Sequence, residues 1–535
     1  MAAEPLLRKD PALAAAACLL VVLLAGLLPV WALSVRTPFR LIDDYGASFD
    51  LWDKPLREHL ASNLLVRENE GRFRPTYDLG QWIAFGLFGA DYRGHHALRL
   101  LLKVLAFAAL LAVALRHVEG SGGTRLRTRE RLVLAALAFS LFFYFPNNPE
   151  ARLTPQELPT VTYFMGCLFF VTRRPVGAAS ARDDVLGLAC FAVGLWSKEP
   201  NVIPGAMLLA LVLAETVGRR DARPARRWVS MGYVVVWVHA AAKVARMSLE
   251  GGYGRSTFTG SAAVAMVREI PRQVLLGATA PWLPVLFIFG LASFVWLGIG
   301  RAASRGWRLR SAALLSLLFS SAAAYVLMSS PVLRYAYPTA AFVVLLTVIG
   351  SGLLLARAPS ETALRRRSLA TAVLALVFAL TTYRDMVAQF STQYVAGWTE
   401  TATLERVERL MTAEPGRSFF AVWDGEYDRR VGLYFNRHLP YFSGRATRIG
   451  FVRTPAEVPV DADWVTRRTA AAGFLTVLEV LPIPHPRVLA VSTALSRMMR
   501  LGRPLPDPIL DAGAPLFEPQ SWFVLRRTEP PASAR

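Results

Sequence analysis

The stretch ALAAAACLLVVLLAGLLPVWAL, residues 12–33, runs for 22 residues without a charged side chain. A helix needs about 20 consecutive apolar residues to cross the hydrocarbon core of a bilayer. The run is too long for the apolar core of a signal peptide, and no convincing cleavage site follows it. It therefore predicts a membrane-spanning helix that the mature protein retains.

Further apolar runs repeat this pattern along the first two thirds of the chain. The 535 residues are 54% hydrophobic, with a mean hydropathy of +0.35, which is more apolar than a soluble protein of this length. The sequence predicts an all-α polytopic membrane bundle of about 11 transmembrane helices. The predicted spans are 12–33, 97–115, 132–145, 158–172, 185–197, 202–214, 228–244, 274–300, 311–328, a tenth that ends at 356, and 368–383.

The formal net charge of +21 follows from the arginine-rich short loops between these spans. With the N-terminus inside, every such loop falls on the inner side, as the positive-inside rule requires. We therefore predict a multi-pass protein of a bacterial inner membrane, with a cytoplasmic N-terminus. Its expected partner is the lipid bilayer and not nucleic acid. Cys18, Cys167 and Cys190 all lie in apolar segments, so no disulfide framework or metal-ligand spacing is indicated.

The composition divides the chain into two predicted domains. Residues 1–383 form the membrane domain, with an outer loop at 35–96, and residues 384–535 form a periplasmic or extracellular C-terminal domain. Helix-like and strand-like segments indicate a soluble α/β domain, with α+β equally compatible. These segments are 400–411, 418–423, 474–481, 488–491 and 522–525. Asp424, Glu426 and Asp428 fit either a cation site or a solvated turn.

Several polar groups stand out because this topology places them on the outer side of the membrane. Ionised groups next to a bilayer tend to be functional when they are not simply solvated. Lys198 and Glu199 lie at a proline-containing break between two half-length apolar runs, which predicts a hairpin whose tip lines a polar cavity. The outer-face residues are Asp43, Asp44, Glu150, Lys198, Glu199, Arg334 and Tyr335.

Each of these groups also has a structural interpretation. The two aspartates fit a solvated loop, Glu150 a helix N-terminus, Lys198 and Glu199 a mutual ion pair, and Arg334 an interfacial anchor. Two further cations, Arg99 and Lys103, fall in the first turns of the second span. We interpret both as side chains that snorkel toward the interface.

If the outer groups converge, they suit a displacement at a sugar carbon. A carboxylate deprotonates a hydroxyl nucleophile, while lysine and arginine hold the phosphate of a leaving group. The departing phosphate is already anionic and needs no protonated acid. No glycine-rich nucleotide loop is present, so a donor reached from the membrane fits better than a soluble nucleotide sugar.

The ordered motifs resemble the C-type glycosyltransferase superfamily, in particular its bacterial protein O-mannosyltransferase-like, family 39-like branch. Besides the early acid pair, the matching stretches are GRFRPTY (71–77), FGADYRGHHAL (88–98), NPEA (148–151), SKE (197–199) and RYAYP (334–338). The resemblance implies an inverting transferase that takes a sugar from a polyprenyl-phosphate carrier at the outer face. Arg99 and Lys103 depart from that branch, which often has asparagine and histidine there.

The resemblance also implies residue roles. Asp43 would be the general base, with Asp44 positioning the acceptor, and Glu150 matches an acid of the second outer loop. Lys198 and Arg334 match basic residues near the lipid phosphate, and Glu199 and Tyr335, which adjoin them, are assigned to the same donor phosphate and lipid-binding site. A divalent cation between Asp43 and the donor phosphate is compatible with this scheme, but nothing in the sequence requires one.

Two other classes of function use similar groups. A transporter or flippase for lipid-linked saccharides would also have outer-face charges and a broken hairpin, although no internal hydropathy repeat is visible. A polysaccharide polymerase or ligase shares the chemistry but would place its key residues in a late outer loop. The expected acceptor is an extracytoplasmic protein, lipid or polysaccharide.

Overall fold

The three-dimensional structure is a computed structural model. It describes residues 11–37, 74–89, 91–122, 125–145, 157–173, 181–217, 224–249, 283–302, 304–327, 337–413, 418–422, 450–452, 457, 459, 464–467, 475–480 and 523–527.

Twelve α-helices occur among the described residues. In chain order they are α1 (Pro11–Val35), α2 (Pro75–Phe88), α3 (Tyr92–Gly122), α4 (Thr128–Phe143), α5 (Glu157–Thr172), α6 (Ala181–Leu195), α7 (Val202–Val217), α8 (Pro224–Leu249), α9 (Leu283–Ser293), α10 (Arg305–Leu327), α11 (Tyr337–Ala356) and α12 (Glu361–Ala413). A 3₁₀ turn, Glu199–Asn201, precedes α7, and a π-helix, Phe294–Gly300, continues α9.

Each predicted span overlaps a helix of the structure. Four described segments, 13–35, 92–121, 227–246 and 337–356, are long and apolar enough to cross a membrane. The chain is therefore a multi-pass helical membrane protein, while the total of 11 spans stays a prediction. Helix α2 lies within the sequence that was predicted to form an outer loop.

Helix α11 forms the centre of the bundle. It is apolar on all sides, and 83% of its most apolar window is buried by neighbouring helices, among them α3, α4, α9 and α10. Gly350 makes the closest of these approaches, since a Cβ atom there would lie 2.1 Å from the Gly290 carbonyl oxygen of α9. Small residues of this kind let membrane helices pack backbone to backbone.

Interhelical hydrogen bonds join the outer helices to this core. The Tyr144 hydroxyl, just beyond α4, donates to the Leu23 carbonyl of α1 over 2.6 Å. Ser140 of α4 donates to the Ala375 carbonyl of α12, also over 2.6 Å. Such bonds satisfy polar groups where lipid offers no partner, and they fix α4 between α1 and α12.

Helix α12 is much longer than a membrane crossing requires. Its 53 residues make a helix of about 80 Å at 1.5 Å per residue. The predicted domain boundary between residues 383 and 384 lies inside this helix, so the change in composition there is not a break in secondary structure. The division into two domains itself stays a prediction.

A mixed five-stranded sheet follows α12. Its strands are β1 (Phe419–Val422), β2 (Gly450–Val452), β3 (Trp464–Arg467), β4 (Leu475–Val480) and β5 (Phe523–Arg527), in the order β2-β1-β3-β5-β4. Strand β1 pairs in parallel with β2 and β3, whereas β5 pairs antiparallel with β3 and β4. Three of the strand-like sequence segments overlap β1, β4 and β5, and the segment 488–491 lies outside the described residues. Parallel and antiparallel pairing in one sheet leaves both predicted classes, α/β and α+β, open.

Candidate functional site

Two of the seven predicted site residues, Lys198 and Glu199, belong to the part of the chain that the structure describes. Asp43, Asp44, Glu150, Arg334 and Tyr335 lie outside the described residues. The acids of the C-terminal cluster, Asp424, Glu426 and Asp428, also lie outside them. The described part of the candidate site is therefore the hairpin between α6 and α7, together with the residues that contact it.

The hairpin break is held by a small set of hydrogen bonds. Ser197 donates its hydroxyl to the Val193 carbonyl over 2.6 Å, which satisfies a carbonyl in the last turn of α6. The Asn201 side-chain amide donates to the Gly194 carbonyl over 2.7 Å and to the Thr160 hydroxyl of α5 over 3.0 Å. These bonds fix the tip against α5, in agreement with the predicted break around the charged residues.

Lys198 forms a buried ion pair with Glu157, the first residue of α5. Lys198 is 4% exposed and Glu157 is 2% exposed. Taking both charges out of water is costly, so a buried pair must be closely hydrogen-bonded to persist. The sequence analysis did not identify Glu157. The one sequence feature that marks this residue is its position as an acid directly before an apolar run.

Glu199 pairs with Arg74, the residue immediately before α2. The Arg74 Nε donates to both carboxylate oxygens, at 2.9 and 3.1 Å, and both side chains are largely buried. Thr76 adds a hydrogen bond from its hydroxyl to the Val193 carbonyl over 2.8 Å. This contact joins the start of α2 to the hairpin tip. An ion pair between Lys198 and Glu199 alone does not explain the arrangement, because Lys198 pairs with Glu157 and Glu199 pairs with Arg74.

A cavity of about 30 Å³ adjoins the buried pair, enough for roughly two water molecules. We call it the Lys198 cavity. Helices α5, α7, α10 and α11 all contribute to its wall, so it lies at one end of the bundle. Its lining residues are Glu157, Phe164, Lys198, Pro200, Asn201, Pro204, Ser321, Ala324, Pro338 and Phe342. Pro338 follows the predicted site residue Arg334 by four positions in the sequence.

Lys198 lies in the chain between α6 and the 3₁₀ turn, outside the spanning helices. Burial lowers the pKa of Lys198 to about 8, although the Glu157 carboxylate opposes this change. The nearby Arg74 guanidinium lowers the pKa further by repulsion. Lys198 therefore changes its charge close to physiological pH, and any anion that enters the cavity will favour the protonated form.

A second polar cluster lies near the start of α3. The His96 Nδ1 accepts hydrogen bonds from the Ser34 hydroxyl at 3.2 Å and from Arg99 Nη2 at 3.4 Å. This assigns the proton to Nε2, which donates to the Thr37 carbonyl over 2.9 Å. The Lys103 ammonium is 0% exposed and lies 5.0 Å from the centroid of the Phe143 ring.

Arg99 and Lys103 are therefore buried inside the bundle, and the interpretation that they snorkel to the interface is wrong. A cation over an aromatic face gains electrostatic stabilisation that the sequence alone does not reveal.

Among the described residues, no group of three or more histidine, cysteine, aspartate or glutamate side chains is placed to hold a metal ion. The predicted bridging position at Asp43 lies outside those residues.

Comparisons with known proteins find similarity to solved structures alone, at low sequence identity. No protein-family model matches the sequence, and no curated protein matches it. The chain resembles the crystal structure of ArnT from Cupriavidus metallidurans in the apo state, with 13% identity and a TM-score of 0.49, over 85% of this chain and 93% of that chain. It also resembles the same protein bound to undecaprenyl phosphate, with 14% identity and a TM-score of 0.49, over 94% of this chain and 97% of that chain.

Proposed function

We propose that this chain is a membrane glycosyltransferase of the C type. It transfers a sugar from a polyprenyl-phosphate-linked donor to an extracytoplasmic protein, lipid or polysaccharide, with inversion at the sugar carbon. The observation that carries the proposal is the buried Lys198 ammonium, which lines a cavity at one end of a bundle of membrane helices. A buried ionisable group in this setting is costly and is typically kept for function.

Lys198 suits the recognition of a phosphate that arrives from the membrane. Its ammonium is a compact positive charge, and its pairing with Glu157 keeps it in place when the cavity holds no anion. Arg334 is proposed to bind the same phosphate through its planar guanidinium, and Tyr335 to donate its hydroxyl. This is supported by the position of both residues in the sequence directly before α11, whose Pro338 lines the cavity.

Glu199 has a different proposed role. A carboxylate repels a donor phosphate, and this one already accepts two hydrogen bonds from Arg74. We assign Glu199 and Arg74 to positioning: the pair fastens α2 to the hairpin tip that carries Lys198. Asp43 and Asp44 precede Arg74 by about 30 positions in the sequence.

The proposed reaction is a single displacement. Asp43 removes the proton from the acceptor hydroxyl while the hydroxyl oxygen forms a bond to the anomeric carbon. The bond from that carbon to the phosphate oxygen breaks, and the polyprenyl phosphate leaves with the electron pair. Asp44 and Glu150 are proposed to orient the acceptor. Attack from the face opposite the leaving group gives inversion.

The C-terminal part of the chain is proposed to bind the acceptor. Its mixed sheet follows a helix of 53 residues that extends well beyond the length of a membrane crossing. With the N-terminus cytoplasmic, an odd number of spans puts this sheet on the same side as the outer loop. The arginine-rich loops at the other ends of the helices support that orientation in a bacterial inner membrane.

The test uses the full chain in lipid nanodiscs with radiolabelled polyprenyl-phosphate sugars and cell-envelope acceptors. Asp43→Asn should lower transfer by about a thousandfold, the usual scale for a lost general base, while donor binding persists. Asp91→Asn, at an exposed acid before α3, serves as the matched control. Undiminished transfer by Asp43→Asn would refute the base assignment. Sugar-lipid translocation in liposomes by a protein with no transfer activity would instead identify a flippase.

A further inference from the structure

The wall of the Lys198 cavity contains a hydroxyl group to which the proposed reaction assigns no role. Ser321, on α10, lines the cavity together with Lys198, and its side chain is 4% exposed. Its hydroxyl is hydrogen-bonded to the hydroxyl of Thr339, on α11, over 3.1 Å. Thr339 is 2% exposed. A buried pair of hydroxyl groups from α10 and α11 therefore adjoins the cavity into which the hairpin tip brings an ammonium group.

This pair of hydroxyl groups has more hydrogen-bonding capacity than its mutual contact uses. Each hydroxyl has one proton to donate, and the contact between Ser321 and Thr339 uses one of the two. Nearby serines of α10 bond within their own helix, since Ser316 donates to the Ala312 carbonyl and Ser320 to the Leu317 carbonyl. When Thr339 donates to the Ser321 oxygen, the Ser321 proton is available to a ligand in the cavity.

The helices around the cavity favour a negatively charged ligand. Pro204 is the third residue of α7 and Pro338 is the second residue of α11, and both line the cavity, so two helices begin there. The N-terminal end of a helix carries a partial positive charge that stabilises anions. This charge adds to that of the Lys198 ammonium, which the Glu157 carboxylate partly offsets. The Ser321 hydroxyl thus lies where an anion is expected to bind.

The size and position of the cavity suit part of a phosphate group. Two of its lining residues, Pro200 and Pro338, are only half-buried, so the cavity adjoins the surface between the hairpin tip and the start of α11. Its volume of about 30 Å³ holds roughly two water molecules. A non-bridging phosphate oxygen is similar in size to a water molecule. Two such oxygens therefore fit, while the sugar and the lipid chain of the donor stay outside the cavity.

We propose that Ser321 donates a hydrogen bond to a non-bridging oxygen of the donor phosphate, and that Thr339 is the residue that positions it. This inference rests on the proposed function and adds to it an uncharged phosphate ligand. Thr339 donates to the Ser321 oxygen and Ser321 donates to the phosphate, so each hydrogen bond of this chain strengthens the other. A hydrogen bond to a charged oxygen is also stronger than one between neutral groups. Ser321 therefore contributes to the recognition of the phosphate and not of the lipid chain.

The test measures binding of a polyprenyl phosphate and of the matching polyprenyl alcohol to the full chain in lipid nanodiscs, together with the donor Michaelis constant. Ser321→Ala should weaken phosphate binding and raise the Michaelis constant about tenfold, the usual scale for a lost hydrogen bond to a charged group, and leave alcohol binding unchanged. Thr339→Val, which keeps the shape of the side chain but not its hydroxyl, should weaken phosphate binding about threefold. Thr339→Ser should bind as the unmodified chain does. The matched control is Ser140→Ala, which removes a buried hydroxyl that joins α4 to α12 and should change neither quantity.

Three outcomes overturn the proposal. Unchanged phosphate binding by Ser321→Ala, when the unmodified chain binds the phosphate and transfers the sugar, would refute this inference and leave the proposed function intact. Equal weakening by Ser321→Ala and Ser140→Ala, or equal loss of the phosphate and the alcohol, would show an effect of helix packing. Neither transfer nor phosphate binding by the unmodified chain would refute the proposed function, and this inference with it. If Ser321→Ala does not fold, Thr339→Val and Thr339→Ser keep the test, because equal phosphate binding by these two variants would contradict the positioning role.

Discussion

The two ends of the bundle treat buried positive charge in different ways. At the Lys198 cavity a lysine pairs with the Glu157 carboxylate, and the adjacent Glu199 pairs with Arg74. At the opposite end, where Arg116 and Arg310 line a second cavity, both guanidinium groups lie over aromatic rings, Arg116 on Phe169 and Arg310 on Trp307. A carboxylate partner is one way to stabilise a buried cation, and the face of an aromatic ring is another.

This difference bears on how the Lys198 end would hold a ligand. In the proposed function, a lysine with a lowered pKa and a competing carboxylate holds the donor phosphate weakly enough to release it, as turnover requires. An arginine, by contrast, keeps its charge at every physiological pH. The comparison therefore associates ligand exchange with the Lys198 end, and the predictions below test that end and the orientation of the bundle.

The sidedness of the two ends gives the largest expected contrast, because labelling is nearly all or none. In a Cys18→Ser background, Asp91→Cys should react with an impermeant maleimide added outside intact cells. Ser304→Cys and Ser360→Cys should react only after the cells have been permeabilised. All three positions are exposed. Helix α3 runs in the same direction as α5, which begins at Glu157, so Asp91, just before α3, is at the Lys198 end. Labelling of Ser304→Cys in intact cells would reverse the proposed orientation.

Loss of the Lys198 charge should have the next largest effect. Lys198→Met removes the proposed charge-assisted contact to the donor phosphate, worth about 3 kcal/mol, which corresponds to roughly a hundredfold lower transfer. It also leaves the buried Glu157 without its lysine, so the thermal midpoint should fall. Transfer and melting temperature are measured on the same preparations.

A double variant separates the two consequences. Lys198→Met with Glu157→Gln removes both charges of the buried pair, so stability should recover while transfer stays low. Lys243→Met, at a half-buried lysine of α8 away from the cavity, is the matched control. If transfer recovers together with stability, Lys198 is a structural residue and the phosphate assignment is wrong.

Sequence reasoning found the helices and the hairpin because both are local properties. The uncharged run at 12–33 and the proline-containing break beside Lys198 are read directly from neighbouring residues. The same local reading identified Lys198 and Glu199 as a pair worth attention. It also found strand-like segments at β1, β4 and β5, although not their order in the sheet.

The partners of these residues were out of reach because they are distant in sequence. Glu157 is 41 positions from Lys198, and Arg74 is 125 positions from Glu199. A helical bundle is free to bring any two helices together, so charge pairing between them needs the fold itself. The burial of Arg99 and Lys103 was missed for the same reason: the Phe142 and Phe143 rings that face Lys103 lie on α4.

The Arg74 and Glu199 pair should matter less than Lys198 itself. Arg74→Gln leaves a largely buried carboxylate without its guanidinium, which costs about 2 kcal/mol of stability. Transfer should fall about tenfold because α2 no longer fixes the hairpin tip. Arg93→Gln, an exposed arginine of α3, removes the same charge and should change neither quantity. The exchange of Arg74→Glu with Glu199→Arg should restore part of the loss, and a complete lack of rescue would contradict a positioning role.

The smallest predicted effect is the pH dependence of donor affinity. Since burial lowers the pKa of Lys198 to about 8, the ammonium is mostly protonated at pH 7 and mostly neutral at pH 9. A phosphodiester donor keeps one negative charge across this range, so its affinity should be steady below pH 8 and fall about tenfold per unit above it. Lys198→Arg keeps its charge throughout, and its donor Michaelis constant should therefore be flat between pH 7 and 9.

Two outcomes would contradict this prediction. A pH dependence that persists in Lys198→Arg would assign the titration to another group. A donor affinity that does not change with pH in the unmodified protein would show that Lys198 does not bind the donor.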